Sequence, residues 1–224
     1  MTTPGEEKFQ KVFDLIKSRV PKFRLRSKTQ SRLMRFLGFL LSLVGVKDFL
    51  EKYWTTLGYT TYYIDGPDGV ADDEWMVLAH EGVHALQSKR LTRFVMGFLY
   101  MLPQCLGAAF LGASLTMLVL AACGVVGWQC MWLACGLVLL APLPAYWRMK
   151  FEIEAYYVFP MITMEWGMKL DVRPIVDMFT GPAYYFMWPF KDEIESRLRT
   201  VHASCKEINE YFLKVAEIAK ERNA

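Results

Sequence analysis

The residues of this chain best suited to chemistry are two histidines and a glutamate within one short segment. The segment reads His80-Glu81-Gly82-Val83-His84, which is the spacing HExxH. On an α-helix, residues four apart project from the same face, so both imidazoles can bind one Zn²⁺ ion. The glutamate then lies beside the metal-bound water and can take its proton. The motif therefore predicts a zinc site with Glu81 as general base, against the simpler alternative of two ordinary histidines on a helix.

A catalytic zinc site needs a third protein ligand and leaves its fourth position to water. A third histidine at the spacing HExxHxxGxxH is excluded, because that position is Arg90. We therefore expect a carboxylate, and Glu152 and Glu154 lie in a helical segment that ends near Pro160. Side chains two residues apart diverge on a helix, so only one of the two glutamates can face the metal. The residues alone do not choose between them.

Taken together, HExxH, a long apolar segment and the string R-x-x-x-E-x-x-A resemble the gluzincin zinc metallopeptidases, in particular the HtpX-type membrane proteases. The resemblance extends over about residues 70–160. It implies that His80, His84 and Glu152 are the zinc ligands and that Glu81 is the catalytic base. It also implies the activity, which is hydrolysis of peptide bonds by a zinc-activated water.

Other positions near the two motifs also bear on this resemblance. Ala155 matches the family's alanine, whereas Tyr156 stands where the family has an aspartate that supports the site. Gln87 and the E-x-E-A string around Glu154 resemble minimal gluzincin domains of phage and bacterial origin. Glu154, Tyr156 and Tyr157 are therefore candidates to support the ligands or to stabilise the oxyanion.

The implied mechanism also needs groups that bind the substrate. An oxyanion donor is required, and Tyr184, Tyr185 and His202 are further candidates for it. His202 flanks an apolar seam, so we expect its side chain to face solvent. In gluzincins an edge strand pairs with the extended substrate backbone, and the resemblance gives this role to the strand near Tyr59–Ile64.

The elements that carry the two motifs are separated by a long stretch without charge. From Phe94 to Trp147 the chain has no acidic or basic residue and no histidine. It contains two apolar stretches, Gly97–Ala122 and Trp128–Tyr146, each close to the ~20 residues that span a bilayer. We therefore predict a transmembrane helical hairpin that brings the two motifs together. The alternative is a buried helical hairpin within a larger assembly.

Basic residues flank this stretch on both sides, so the positive-inside rule predicts that both ends face the cytoplasm. A second basic region, from Lys17 to Arg35, has eight basic residues and no acid. It is typical either of a solvated face or of attachment to anionic lipid headgroups. Nucleic acid is an unlikely partner, because no DNA-reading motif accompanies the run.

The C-terminal segment repeats apolar residues at alternating spacings of four and three, from Ile194 to Ala219. This pattern predicts a long helix with one apolar seam, which either packs on the body of the protein or self-associates. The five cysteines are odd in number and form no CxxC pair, which argues against a disulfide framework.

The sequence thus predicts a mainly α fold with zincin-like active-site helices, a short β strand or hairpin, an inserted apolar transmembrane hairpin and a long C-terminal helix. The predicted parts are a basic amphipathic region (1–50), a strand plus the HExxH helix (51–93), the hairpin (94–147), the third-ligand helix and an aromatic loop (148–190), and the heptad helix (191–224). The predicted function is that of a membrane-associated, zinc-dependent metalloendopeptidase acting on a peptide or protein substrate at the cytoplasmic side. The alternative is a non-enzymatic structural or membrane-penetrating component of a larger assembly, such as a viral particle, that retains a zinc site.

Overall fold

The structure is a computed structural model that describes residues 3–43, 49–64, 73–127, 144–181, 184, 187–200 and 205–221. For residues 40, 41, 43 and 103–111 it describes the backbone alone. The helices are α1 Pro4–Arg19, α2 Arg32–Leu43, α3 Phe49–Lys52, α4 Glu74–Leu91, α5 Arg93–Ala122, α6 Tyr146–Tyr156, α7 Val158–Glu165, α8 Arg173–Thr180, α9 Lys191–Arg199 and α10 Lys206–Lys220. The strands are β1 Arg24–Ser27, β2 Thr55–Leu57 and β3 Thr60–Tyr63.

The three strands form one sheet in the order β1-β3-β2. β2 and β3 are an antiparallel hairpin, and Gly58 in its turn has a positive φ of 64° that favours glycine. β1 pairs in parallel with the other side of β3, from Arg24 opposite Thr60 to Ser27 opposite Tyr63. β3 is therefore the central strand, and β2 lies at one edge of the sheet.

Helix α4 carries the HExxH motif through the centre of the fold. Every residue from Leu78 to Ser88 is buried, because α1, α5, α6, α7, α10 and β2 all pack against this helix. α1 begins with a capping box in which Thr3 and Glu6 bond each other's backbone, with Pro4 at the first helical position. Its apolar face then places Ile16 directly against Gly82 of α4.

Gly82 permits a close approach of side chains from two other helices. A Cβ atom at this position would lie 2.4 Å from the Tyr211 hydroxyl oxygen and 2.7 Å from Ile16 Cδ1. The Tyr211 hydroxyl donates a hydrogen bond of 2.9 Å to the carbonyl of Ala79 on α4. Both crowding side chains are fully buried. The glycine thus lets α1 and α10 meet the HExxH helix at the level of the motif.

The substitution Gly82→Ala is expected to lower the free energy of unfolding, because overpacking a core costs about 1–3 kcal/mol. Alanine gains about 1 kcal/mol over glycine in helix propensity, so the net loss should be up to about 2 kcal/mol. In the double variant Gly82→Ala/Tyr211→Phe the phenol oxygen is absent, so the two effects should be less than additive. Urea unfolding of the wild type, both single variants and the double variant measures this coupling. Strict additivity would contradict the proposed crowding.

The predicted long C-terminal helix is wrong. The apolar repeat lies on two helices, α9 and α10, which belong to different parts of the core. Ile194 and Leu198 of α9 are buried with α6 and α8, whereas Ile208 and Phe212 of α10 are buried with α1, α4 and α7. The apolar repeat shows which side of a helix is buried but not whether the helix is continuous. Here the repeat continues from α9 into α10, although the two helices pack against different neighbours.

The predicted inserted transmembrane hairpin is also wrong. Within the residues whose side chains are described, no helix has both the length and the hydropathy needed to cross a membrane. The first apolar stretch lies in α5, which packs against α4 and α6. Ala121 of this stretch is buried, whereas Phe98, Leu115 and Val119 are exposed. Residues 128–143 of the second stretch lie outside the described part of the chain. The absence of charge did not reveal this packing of α5, because a run of uncharged residues does not show which other elements the helix contacts.

Candidate metal centre

Three buried side chains from α4 and α6 meet at one point. His80 Nε2 and His84 Nε2 each lie 3.6 Å from the same Glu152 oxygen, Oε2. One ligand atom from each of the three residues lies within 4.8 Å of the other two. Zinc bonds of about 2.0–2.1 Å in tetrahedral geometry separate neighbouring ligand atoms by about 3.4 Å. The three side chains therefore fit one zinc ion, and they leave a fourth position for water.

Gln87 fixes the orientation of His84. The His84 Nδ1 and Gln87 Oε1 atoms are 2.9 Å apart. The Gln87 amide nitrogen donates to Glu154 Oε2 at 2.9 Å and to the Phe151 carbonyl at 3.1 Å, which turns Oε1 towards the imidazole. His84 Nδ1 must then be the donor, so the Nε2 lone pair is left for a metal. Glu154, a candidate support from the sequence, thus acts on His84 through Gln87.

Two tyrosine hydroxyls approach Glu152, and an arginine packs against both tyrosine rings. The Tyr100 hydroxyl donates a hydrogen bond to Oε1, and the Tyr184 hydroxyl lies 3.4 Å from Oε2. The Arg148 guanidinium lies 5.1 Å from the centre of the Tyr100 ring and 5.3 Å from that of Tyr184. Sequence reasoning missed Tyr100, which lies in the uncharged stretch, and used Arg148 only as a flanking basic residue and as part of the motif that carries the resemblance. Arg148 lies one helical turn before Glu152, and this spacing could have identified it as a residue of the site.

Glu81 lies beside the three ligands in a setting that suits a general base. Burial raises the pKa of its carboxyl, which moves this pKa towards neutral pH, where a general base works best. The Thr56 hydroxyl of β2 hydrogen-bonds to the carboxylate. The second oxygen, Oε2, is buried and has no hydrogen-bond partner among the described residues. Such an oxygen is suited to accept a proton from water at the fourth metal position.

The three ligands have different protonation states before a metal binds. Burial and the neighbouring His84 lower the pKa of His80 to about 3. Burial also opposes a charge on His84, but the Glu152 carboxylate outweighs it and raises the pKa of His84 to about 9. Burial alone would raise the pKa of Glu152, yet the two imidazoles and Arg148 lower it to about 2. Near neutral pH, His80 is therefore neutral, His84 is protonated and Glu152 is ionised.

Zinc binding at about pH 6 is expected to release about one proton per ion, because the metal must displace the proton of His84 alone. Because the pKa of His84 is raised to about 9, the apparent zinc affinity should rise about tenfold per pH unit at pH values below about 7, where the metal-bound water still keeps its proton. Calorimetric titration in buffers of different ionisation enthalpy measures the released protons. A pH near 6 keeps the metal-bound water protonated, since its pKa is about 7. Release of no proton would show that His84 is neutral before zinc binds.

The other predicted site residues fall into three groups. Tyr156 belongs to the site: its ring lies 4.5 Å from that of His80, and its hydroxyl is 2.7 Å from the Tyr184 hydroxyl. Tyr157 points away from the ligands and packs against Phe212 of α10 at 5.4 Å. Tyr185 and His202 lie outside the described residues. Tyr184 is therefore the described oxyanion candidate that lies next to the metal-facing oxygen of Glu152.

The edge strand near the site is β2, and the prediction that used the strand near Tyr59–Ile64 is wrong. β3 occupies that segment and is paired on both sides. β2 packs against α4 and is paired, within the described strands, only with β3. The buried Lys28 ammonium fixes its beginning, since Nζ donates to the Phe49 carbonyl at 2.7 Å, to the Tyr53 carbonyl and to Thr55 Oγ1 at 3.0 Å.

Comparisons with known proteins found no relative of this chain. No protein-family model matches the chain, and neither does any curated protein or solved structure. The case for the metal centre therefore rests on its residues and their geometry.

Proposed function

We propose that this protein is a zinc-dependent metalloendopeptidase of the gluzincin type. The observation that carries the proposal is the meeting of His80, His84 and Glu152 at zinc-ligand separation, with Glu81 on the same helix. Three protein ligands with a remaining position for water are the arrangement of catalytic zinc sites, whereas structural sites use four protein ligands. A buried glutamate with a raised pKa adds the base that hydrolysis needs.

The residues of the chain divide the work of hydrolysis among them. A bound zinc ion supplies a Lewis acid that lowers the pKa of its water to about 7. Glu81 takes the proton of that water and later gives it to the leaving amine. Burial and the nearby Glu152 raise the pKa of Tyr184 well above its usual value, so its hydroxyl stays protonated and can donate to the oxyanion.

The substrate is proposed to be an extended segment of a peptide or protein. β2 lies at the sheet edge next to α4, and its Thr56 bonds to Glu81. A peptide added along this edge would pair with the strand through backbone hydrogen bonds, which select an extended conformation rather than a particular sequence.

The test is to measure metal content and peptide cleavage on the same sample of the full chain. We expect one zinc ion per chain by mass spectrometry and cleavage of an unstructured protein such as casein. Cleavage should stop with a zinc chelator and return when zinc is added. Bound zinc without cleavage of casein or of a peptide library would favour the alternative, a non-enzymatic component of a larger assembly. A folded protein that binds no zinc would exclude both functions.

A further inference from the structure

Tyr100 contacts the part of Glu152 that faces away from the two histidines. Glu152 Oε2 lies 3.6 Å from both imidazole nitrogens, so this oxygen is the one placed for a metal. The other oxygen, Oε1, accepts the hydrogen bond from the Tyr100 hydroxyl. The two oxygens of the carboxylate thus face different neighbours: Oε2 faces the histidines, and Oε1 faces Tyr100 on α5.

This arrangement affects whether the carboxylate fills one or two coordination positions of a bound metal ion. A glutamate can bind through one oxygen or through both. Binding through both would use the position that a catalytic site keeps for water. A hydrogen bond on Oε1 opposes this, because the oxygen would have to give up its donor and turn inward. A bond of this kind sets the geometry of a ligand without touching the metal.

The surroundings of Tyr100 hold its hydroxyl in place. The ring packs edge-on to His84 at 6.3 Å, and the Arg148 guanidinium lies 5.1 Å from its centre. Tyr184 cannot replace Tyr100, since its hydroxyl lies near the other oxygen, Oε2. The Tyr100 hydroxyl therefore donates to Oε1 and not to the oxygen that faces the histidines.

We infer that Tyr100 is a positioning residue that holds Glu152 as a one-oxygen metal ligand and thereby keeps a position open for water. The inference rests on the metal site of the proposed function and assigns a role to α5 in that site. It explains why a residue of the uncharged stretch reaches the metal centre. It also predicts a change in coordination that a purely structural role would not produce.

The test is the variant Tyr100→Phe, which removes the hydroxyl and keeps the ring. With cobalt(II) in place of zinc, the wild type should have the strong visible absorption of a four-coordinate ion. The variant should absorb more weakly, as higher coordination does, because Oε1 is free to bind. Its zinc dissociation constant should rise about 10–100-fold, the usual effect of losing such a support.

Tyr211→Phe is the matched control, because it removes the hydroxyl of another tyrosine, which is fully buried and bonds to the backbone of the same HExxH helix. Its cobalt spectrum and zinc affinity should match those of the wild type. An unchanged spectrum and affinity in Tyr100→Phe would overturn the inference and leave the proposed function intact. A weak, high-coordination spectrum in the wild type would overturn it even if the variant fails to fold. A wild type that binds neither metal would instead refute the proposed function.

Discussion

The substitution Glu81→Gln is expected to reduce kcat/KM for peptide cleavage by about 10²–10⁴-fold, the usual contribution of a general acid–base group. The two side chains have the same shape, but an amide cannot take a proton from water. Glu81 is not among the three residues whose ligand atoms meet, so zinc should remain bound at one ion per chain. Metal analysis and cleavage rates on the same samples separate the two effects.

Glu74→Gln is the control for this variant. It makes the same chemical change on the same helix, in the first turn of α4 and away from the motif. We expect it to keep both zinc and activity. Full cleavage by Glu81→Gln would refute the role of Glu81 as base, whereas loss of zinc in this variant would mean that Glu81 is a ligand.

The sequence predicted the core of the site because the chemistry is local. Two histidines four residues apart share a face on any α-helix, so His80, Glu81 and His84 could be grouped without knowledge of the fold. Glu152 was different. Its spacing from Glu154 showed only that one of the two could face the metal, and the choice came from a resemblance. The structure brings Glu152 to the histidines and puts Glu154 behind Gln87.

The parts that sequence reasoning missed depend on contacts between distant segments. Tyr100 reaches Glu152 across 52 positions of the chain, and Thr56 reaches Glu81 from a strand. No periodicity reports such pairs, because a pattern describes which face of an element is buried and not what it meets. For the same reason, the sequence pattern could not identify which strand lies at the edge of the sheet. A Thr-rich and aromatic segment indicates a hairpin, but only the pairing of β1 with β3 shows that β3 is central and that β2 lies at an edge of the described sheet.

The two glutamates of α6 provide the sharpest test of the ligand set. Glu152→Ala is expected to weaken zinc binding by about 100-fold or more, since a structural zinc site with four ligands contributes about 10–16 kcal/mol, or roughly 3 kcal/mol per ligand. The variant also leaves His84 without the carboxylate that raises its pKa, so zinc no longer competes with a firmly held proton. That gain offsets part of the loss but not the missing bond.

Glu154→Ala is the matched comparison, because Glu154 is 7 % exposed and Glu152 is 2 % exposed on the same helix. It removes the partner of Gln87, so His84 is less firmly oriented, and zinc affinity should fall by no more than about tenfold, the lower end of such indirect effects. Competition with a chromogenic chelator measures both dissociation constants under the same conditions. Equal losses in the two variants would mean that Glu152 supports the site rather than binding the metal. A larger loss in Glu154→Ala would assign the third ligand to the other glutamate and would require α6 to be rotated relative to the present structure.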